Sequence, residues 1–286
     1  MDKSRTETLN IGKQDAKSYS KQSANTLFNF MRDIKFLITN IENLTMYPRY
    51  VIEDVNYLEL KYGTQNMHTV AFPMLCFCDI HLHKLPYHVE KDDETGSIGY
   101  GKFGIGLSKS WCEDNGLQPI TYLNKNSKAT QELSYLMNKG LTTLHDDLDL
   151  DEEFFDYILN SLRLSKPLTG VMQMGGKDVD KNFHDEREWR FIPDFSDVEM
   201  GDFLNDATMP NKMSNSLLKK MSDTLINEPS THLKLSVDAI NYIFVETNDD
   251  RNKVLDTIKR KWSQDMDTAM ILASKIVVYE QIVRDW

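Results

Sequence analysis

Cysteine is scarce: Cys76, Cys78 and Cys112 are the only three in 286 residues. So small and odd a set argues against a disulfide scaffold and fits a reducing compartment. Long apolar runs are missing as well. No stretch approaches the ~20 residues that a spanning helix requires, and residues 1–26 lack the apolar segment of a signal peptide. The expectation is a soluble, cytoplasmic chain that does not enter a membrane. Positive charge is in deficit, with 33 Lys and Arg against 44 Asp and Glu, a formal charge of −11. General nucleic-acid binding depends on neutralising phosphate, and anionic membrane surfaces recruit basic segments, so both partners are disfavoured. The G-x-S-x-G, H-E-x-x-H and G-x-x-x-x-G-K-[ST] patterns are absent too, which lowers the standing of the enzyme classes that depend on them.

What remains is ordinary globular composition, 40% hydrophobic and 27% charged. Residues 1–26 are polar and read as an arm. Residues 27–286 read as a single α+β domain, because strands and helices mix without a regular βαβ rhythm. Leu27-Phe28-Asn29-Phe30-Met31 suggests a short buried strand. Asp33 is placed to cap a helix in which Ile34, Leu37, Ile38, Ile41 and Leu44 recur at helical spacing. Residues 68–80 predict a central strand, or a pair broken at Pro73. Residues 81–106 read as loop, with glycines at 96, 99, 101, 104 and 106, and a helix follows over 108–115. Helical insertions are expected near 128–164, with Leu133, Leu136, Met137, Leu141 and Leu144 on one face, and near 197–228. Strands are expected over 119–123, 168–174, 186–192, 239–246 and 276–282, and an amphipathic helix over 251–262.

Four patterns bear on chemistry. Gly99-Tyr100-Gly101-Lys102-Phe103-Gly104 matches G-x-G-x-x-G, but the acidic residues before it are no strand, so a dinucleotide fingerprint is disfavoured. Cys76-x-Cys78 with His81-x-His83 has four ligand types for zinc. The two pairs begin on opposite faces of an extended chain, and buried thiols beside a polar loop are the preferred alternative; no metal site is assigned. The run between Asp146 and Glu153 is acidic but lacks the central glycine of a calcium loop. Asp185-Glu186-Arg187-Glu188-Trp189-Arg190 is the strongest local pattern. As a strand it puts Glu186, Glu188 and Arg190 on one side and Arg187, Trp189 and Phe191 on the other. Two carboxylates so close repel unless cations or sugar hydroxyls engage them. Either Arg190 and lysines pair them on a solvated edge strand, or an ionised carboxylate there stabilises positive charge on a bound sugar.

Several segments together resemble one family. They are Ser23-Ala24-Asn25-Thr26-Leu27-Phe28-Asn29-Phe30, Tyr47-Pro48-Arg49-Tyr50, Met74-Leu75-Cys76-Phe77-Cys78-Asp79-Ile80, Tyr100-Gly101, Gly104-Ile105-Gly106-Leu107-Ser108-Lys109-x-Trp111 and the run from Asp185 to Arg190. This order resembles the AbiGi family of bacterial abortive-infection proteins. The resemblance implies phage defence, as the antitoxin-like or sensor partner of a nucleotidyltransferase-like toxin, with a toxin or phage component as protein partner. The same blocks are similar, more distantly, to ADP-ribosyltransferase-like domains of the DarT type. That likeness implies an ADP-ribosyltransferase-like mixed sheet and, if the chain is enzymatic, NAD as cofactor. Glu188, Glu186 and Tyr100 would then be catalytic, and Asn29, Phe30, Tyr100 and Trp111 would hold the cofactor. NAD would lie in a cleft with Asn29 and Glu188 on opposing walls, under a lid formed by the glycine loop 96–106. Related sequences usually carry His-Phe-Thr where this chain has Asn29-Phe30-Met31. Met31 lacks a hydroxyl and Asn29 has no cationic form, which favours a binding protein over a transferase.

Overall fold

The computed structural model describes residues 24–89, 99–146, 152–174 and 177–284. Most of the polar arm, Gly96, and residues 147–151 of the acidic run lie outside this set. Ala24 and Thr26, assigned to the arm from sequence, are instead buried, and the Ala24 N–H donates to Asp79 Oδ1 at 3.0 Å.

The chain is mixed α+β. Its largest sheet uses β1 (Thr26–Met31), β2 (Arg49–Asp54), β3 (Thr69–Cys78), β4 (Phe103–Ser108), β5 (Gln118–Pro119), β10 (Glu188–Phe191), β11 (Leu204–Asn205), β12 (Ile240–Val245) and β13 (Ile276–Val278). Between them lie β6 (Thr121–Leu123) with β7 (Ser165–Pro167), a parallel pair, and the antiparallel hairpin of β8 (Thr169–Met174) and β9 (Lys177–Asn182). The path across the sheet runs β13-β12-β4-β1-β3-β10-β5, with β2 and β11 also pairing β3. Only β12 and β13 run parallel in it.

Nine helices are described: α1 (Ile34–Asn43), α2 (Leu85–Val89), α3 (Lys109–Asp114), α4 (Lys128–His145), α5 (Glu152–Arg163), α6 (Asn215–Thr224), α7 (Asn248–Lys261), α8 (Met266–Ser274) and α9 (Tyr279–Arg284). Asp33 caps α1 by accepting the Lys35 N–H at 3.0 Å, and Leu37 and Ile41 seal it onto the sheet with no exposed surface. Each such burial contributes about 1.5–3 kcal/mol. On that face α1, α3, α7 and α8 cover Leu27, Leu75, Phe77, Ile105 and Leu107. On the opposite face α4 and α5 cover Val70, Phe72 and Met74, while α2 and α9 cover Phe28 and Phe244.

Several expectations need correction. Pro73 does not break its strand. It lies opposite Tyr50, whose N–H turns away to the Ser222 hydroxyl at 3.0 Å, so this pair exchanges no ladder bond and the missing proline N–H is not needed. Residues 103–106 are not loop and cannot be part of a lid, because they form β4 between β1 and β12. Glycine is tolerated there because rings from both neighbours fill the space. Phe30 and Phe244 flank Gly104, and Phe28 and Tyr242 flank Gly106. Phe28 stacks on Tyr242 with centroids 5.9 Å apart, and a Cβ on Gly106 would sit 2.9 Å from the Phe28 ring. Strand 119–123 divides into β5 and β6, an additional strand β9 forms over 177–182, and the final strand ends at Val278, where α9 begins. In the segment 197–228 helix is confined to α6 and short three-ten turns, and Leu204–Asn205 is a strand. Of the predicted α4 face, Met137 and Leu141 are buried, but Leu136 and Leu144 are each 38% exposed.

Candidate functional site

Register brings acids from distant parts of the chain to one face. Glu53 pairs with Val70, Arg190 with Cys76, and Glu188 with Cys78. All three partners are even-numbered residues of β3, so Glu53, Arg190 and Glu188 project on the same side. Glu186 arrives differently. It closes a three-ten turn over Phe183–Glu186, and Arg187 follows with a left-handed backbone (φ 44°, ψ 53°). That turn, not strand alternation, places Glu186 beside Glu188. The Arg187 carbonyl accepts the Asp79 N–H at 3.1 Å, and Lys109 forms an ion pair with Asp79. Four segments that carry the family resemblance, at Ala24, Asp79, Lys109 and Arg187, therefore meet at one point.

The result is a buried network of three carboxylates and three cations. Arg190 Nε donates to Glu188 Oε1 at 2.7 Å, Nη2 to Glu53 Oε1 at 2.7 Å and Nη1 to the Arg163 carbonyl at 2.6 Å. Lys166, from β7, lies 2.9 Å from Glu188 Oε2 and 3.1 Å from Glu186 Oε2. Lys181, from β9, lies 2.7 Å from Glu186 Oε1 and also donates to the Tyr100 hydroxyl, which in turn donates to Glu186. The Glu188 N–H donates to the Tyr122 hydroxyl at 2.7 Å. Arg190 is fully buried, and Glu186 and Glu188 are 3% and 4% exposed. The strand is thus not a solvated edge, although the cation pairing expected of that reading is present.

Charge sets the protonation states. Burial pushes the Glu188 carboxyl up, but Arg190 and Lys166 outweigh it and hold the group at about 2. Burial likewise opposes ionisation of Glu186, and Lys166 and Lys181 hold it below the usual carboxylate range. For Glu53 burial prevails over Arg190 and the carboxyl is raised. Lys166 is raised well above the usual lysine range, because Glu188, Glu53 and Glu186 outweigh its own burial. The Tyr100 phenol is raised by burial and by Glu186, so it remains a donor. Cys76 and Cys78 are raised chiefly by burial and are poor thiolates. His81 and His83 stack on each other at 5.4 Å, and among the described residues no three His, Cys, Asp or Glu side chains gather as metal ligands.

Glu186, Glu188 and Tyr100 therefore come together. Phe30 lies near them through the His88 ring, which is 6.4 Å from Phe30 and 6.2 Å from Tyr100. Asn29 and Trp111 do not join them. Along β1, Asn29 alternates onto the face of Leu27 and Met31, opposite Glu188, and its Nδ2 donates to the Cys76 carbonyl at 2.8 Å. It closes the fork between β1 and β3, which pair only at Phe28 and Cys78. Asn29 and Glu188 are not two walls of one cavity. Trp111 packs on the α1–α7 core with Trp189, also on the far face. Sequence reasoning did not single out Glu53, Lys166, Lys181 or Tyr122. None lies in a local pattern, and only the fold joins them.

Fold and site together define an α+β protein whose mixed sheet encloses a balanced set of buried ions. A family model described as the abortive phage resistance protein AbiGi, antitoxin, matches residues 44–246. The abortive phage resistance protein AbiGi of Lactococcus lactis subsp. cremoris is 37% identical over 256 residues, covering 84% of this chain and 98% of that protein. No solved structure matches. The chain belongs to the AbiGi family of abortive phage resistance proteins.

Proposed function

We propose that this chain is the antitoxin of a phage-defence pair, binding and restraining a nucleotidyltransferase-like toxin without chemistry of its own. The observation that carries the reading is the state of the two acids. Both oxygens of Glu188 and both of Glu186 are held by Arg190, Lys166, Lys181 or Tyr100. A carboxylate so engaged serves as a structural ion, since exposing it to a ligand would strand Arg190 or Lys166. The residues expected to hold NAD do not fit that cofactor as a set, because Asn29 and Trp111 lie on the other face. The net charge of −11 suits a basic partner.

An NAD-dependent ADP-ribosyltransferase, on an ADP-ribosyltransferase-like sheet and acting on a nucleic acid or protein, is the second reading. The run of rings from Phe30 through His88 to Tyr100, ending on Glu186, favours it. One experiment separates the two. A nucleotidyltransferase-like candidate toxin is expressed with and without this chain, and the purified chain is incubated with labelled NAD. The antitoxin reading expects growth rescue and no NAD turnover. Turnover that disappears in Glu188→Gln would overthrow it.

A further inference from the structure

The β8–β9 ribbon stands apart from the rest of the fold. Its two strands, of six residues each, pair with one another and with no other described strand. Its root is tied down, because the Leu168 N–H donates to the Leu123 carbonyl at 2.9 Å and the Phe183 N–H to the Leu168 carbonyl at 3.0 Å. Beyond the root, an isolated two-stranded ribbon is marginal in water, so its place depends on what its inner face meets. Val179 and Lys181 lie on that face, two residues apart on β9, and Val179 is buried. On the outer face Val171 lies opposite Asp180, and both are exposed. The inner anchor with specific partners is Lys181, which reaches Glu186 and Tyr100.

Lys181 differs from the other two cations of the network in where it is rooted. Arg190 belongs to β10 of the largest sheet, and Lys166 to β7, which pairs with β6. Lys181 alone is carried by the ribbon, and its side chain is 20% exposed, against 13% for Lys166 and none for Arg190. If the ribbon swings outward, Lys181 passes to water, which solvates an ammonium well. Arg190 and Lys166 keep their partners, and Glu186 keeps Lys166 at 3.1 Å on Oε2. Lys166 is shared with Glu188, so it does not replace the cation lost from Glu186 Oε1. The place left is shaped for a like group. Lys181 Nζ sits 2.7 Å from Glu186 Oε1, donates to the Tyr100 hydroxyl and lies 4.3 Å from the centre of the Tyr100 ring. A carboxylate, a hydroxyl and a ring face together select an ammonium, and an anion is repelled.

We propose that the β8–β9 ribbon is a strap latched by Lys181, and that a primary alkylammonium from outside takes the place of Lys181 on Glu186 and Tyr100 and holds the strap open. The ammonium is supplied by a free amine or by a lysine side chain of another protein. The strap is a property of this chain alone and does not depend on the antitoxin reading. The test follows backbone hydrogen exchange in the whole chain at pH 7, comparing β8 and β9 with β4. In the wild type, n-butylammonium chloride is expected to speed exchange in the ribbon at least tenfold and saturably, with β4 unchanged. n-Butanol, and sodium chloride at equal ionic strength, are expected to leave it slow. A blocked Gly-Lys-Gly peptide that acts at lower concentration than the amine identifies a protein side chain as the source, and one that acts at no lower concentration identifies a free amine. Lys181→Met keeps the stem without the charge. Its ribbon is expected to exchange at least tenfold faster than that of the wild type, and n-butylammonium is expected to raise its Tm while n-butanol does not. A wild-type ribbon that sodium chloride opens as readily as the amine does, or that neither opens, would overturn the site, and this result needs no variant. A folded Lys181→Met whose ribbon exchanges at the wild-type rate would overturn the latch.

Discussion

Glu188 shows how a single residue ties this fold to pH. Its carboxyl is held at about 2 in the folded chain against an ordinary value of 4.5. The folded state therefore keeps it ionised where the unfolded chain would take up a proton. The stability this contributes is fully present above about 4.5 and is lost as pH falls toward 2. Glu186 acts in the same direction. Glu53, whose carboxyl is raised, acts in the opposite one and offsets part of the loss. Urea unfolding at pH 7 and at pH 3 is expected to show a fall of a few kcal/mol in the wild type. Glu188→Gln is expected to be less stable at pH 7 and to lose less on acidification. Parallel pH profiles for the two proteins would show that the network does not set the acid limit. The acids themselves were visible in the sequence as Glu186-x-Glu188. Arg190 was visible beside them, but Lys166 and Lys181 were not, because they reach the acids by tertiary packing from β7 and β9.

At the level of elements, β4 is the strand most dependent on its neighbours. A Cβ on Gly104 would lie 2.6 Å from the Asn29 carbonyl oxygen, and backbone cannot step aside as a side chain can. On Gly106 the obstacles are the Thr26 methyl and the Phe28 ring. Gly104→Ala is expected to cost about 1–3 kcal/mol, and Gly106→Ala less, measured as a larger fall in Tm for the first. The same strand shows where the sequence stops being legible. Helices α1, α4, α5 and α7 were readable because their apolar residues repeat at helical spacing and Asp33 supplies a cap. The strands at Leu27 and Ile240 were readable because they are short and apolar. The glycines of β4 look like loop in isolation, since the rings that make them a strand come from β1 and β12. Pro73 looks like a break until Tyr50 is seen to need no bond from it. The run 276–282 is apolar throughout, and nothing local marks the change from strand to helix at Tyr279.

Across the whole molecule, the family match and the sheet have different extents. The match spans residues 44–246, whereas β1 begins at Thr26 and β13 ends at Val278. Strand β1 sits between β4 and β3 in the middle of the sheet, so removing it leaves two unpaired edges where there were none. A chain truncated to residues 44–246 is expected to aggregate or to lack cooperative unfolding by circular dichroism and size-exclusion chromatography. A monomeric truncation with the melting profile of the whole protein would contradict this. The strand order also has a consequence in time. Strand β4 ends at Ser108, but its second neighbour, β12, starts only at Ile240. A ribosome arrested anywhere between them holds a nascent chain whose central strand has one bare side. When translation is interrupted, an unfinished copy therefore presents a bare strand edge, a template for pairing with other chains.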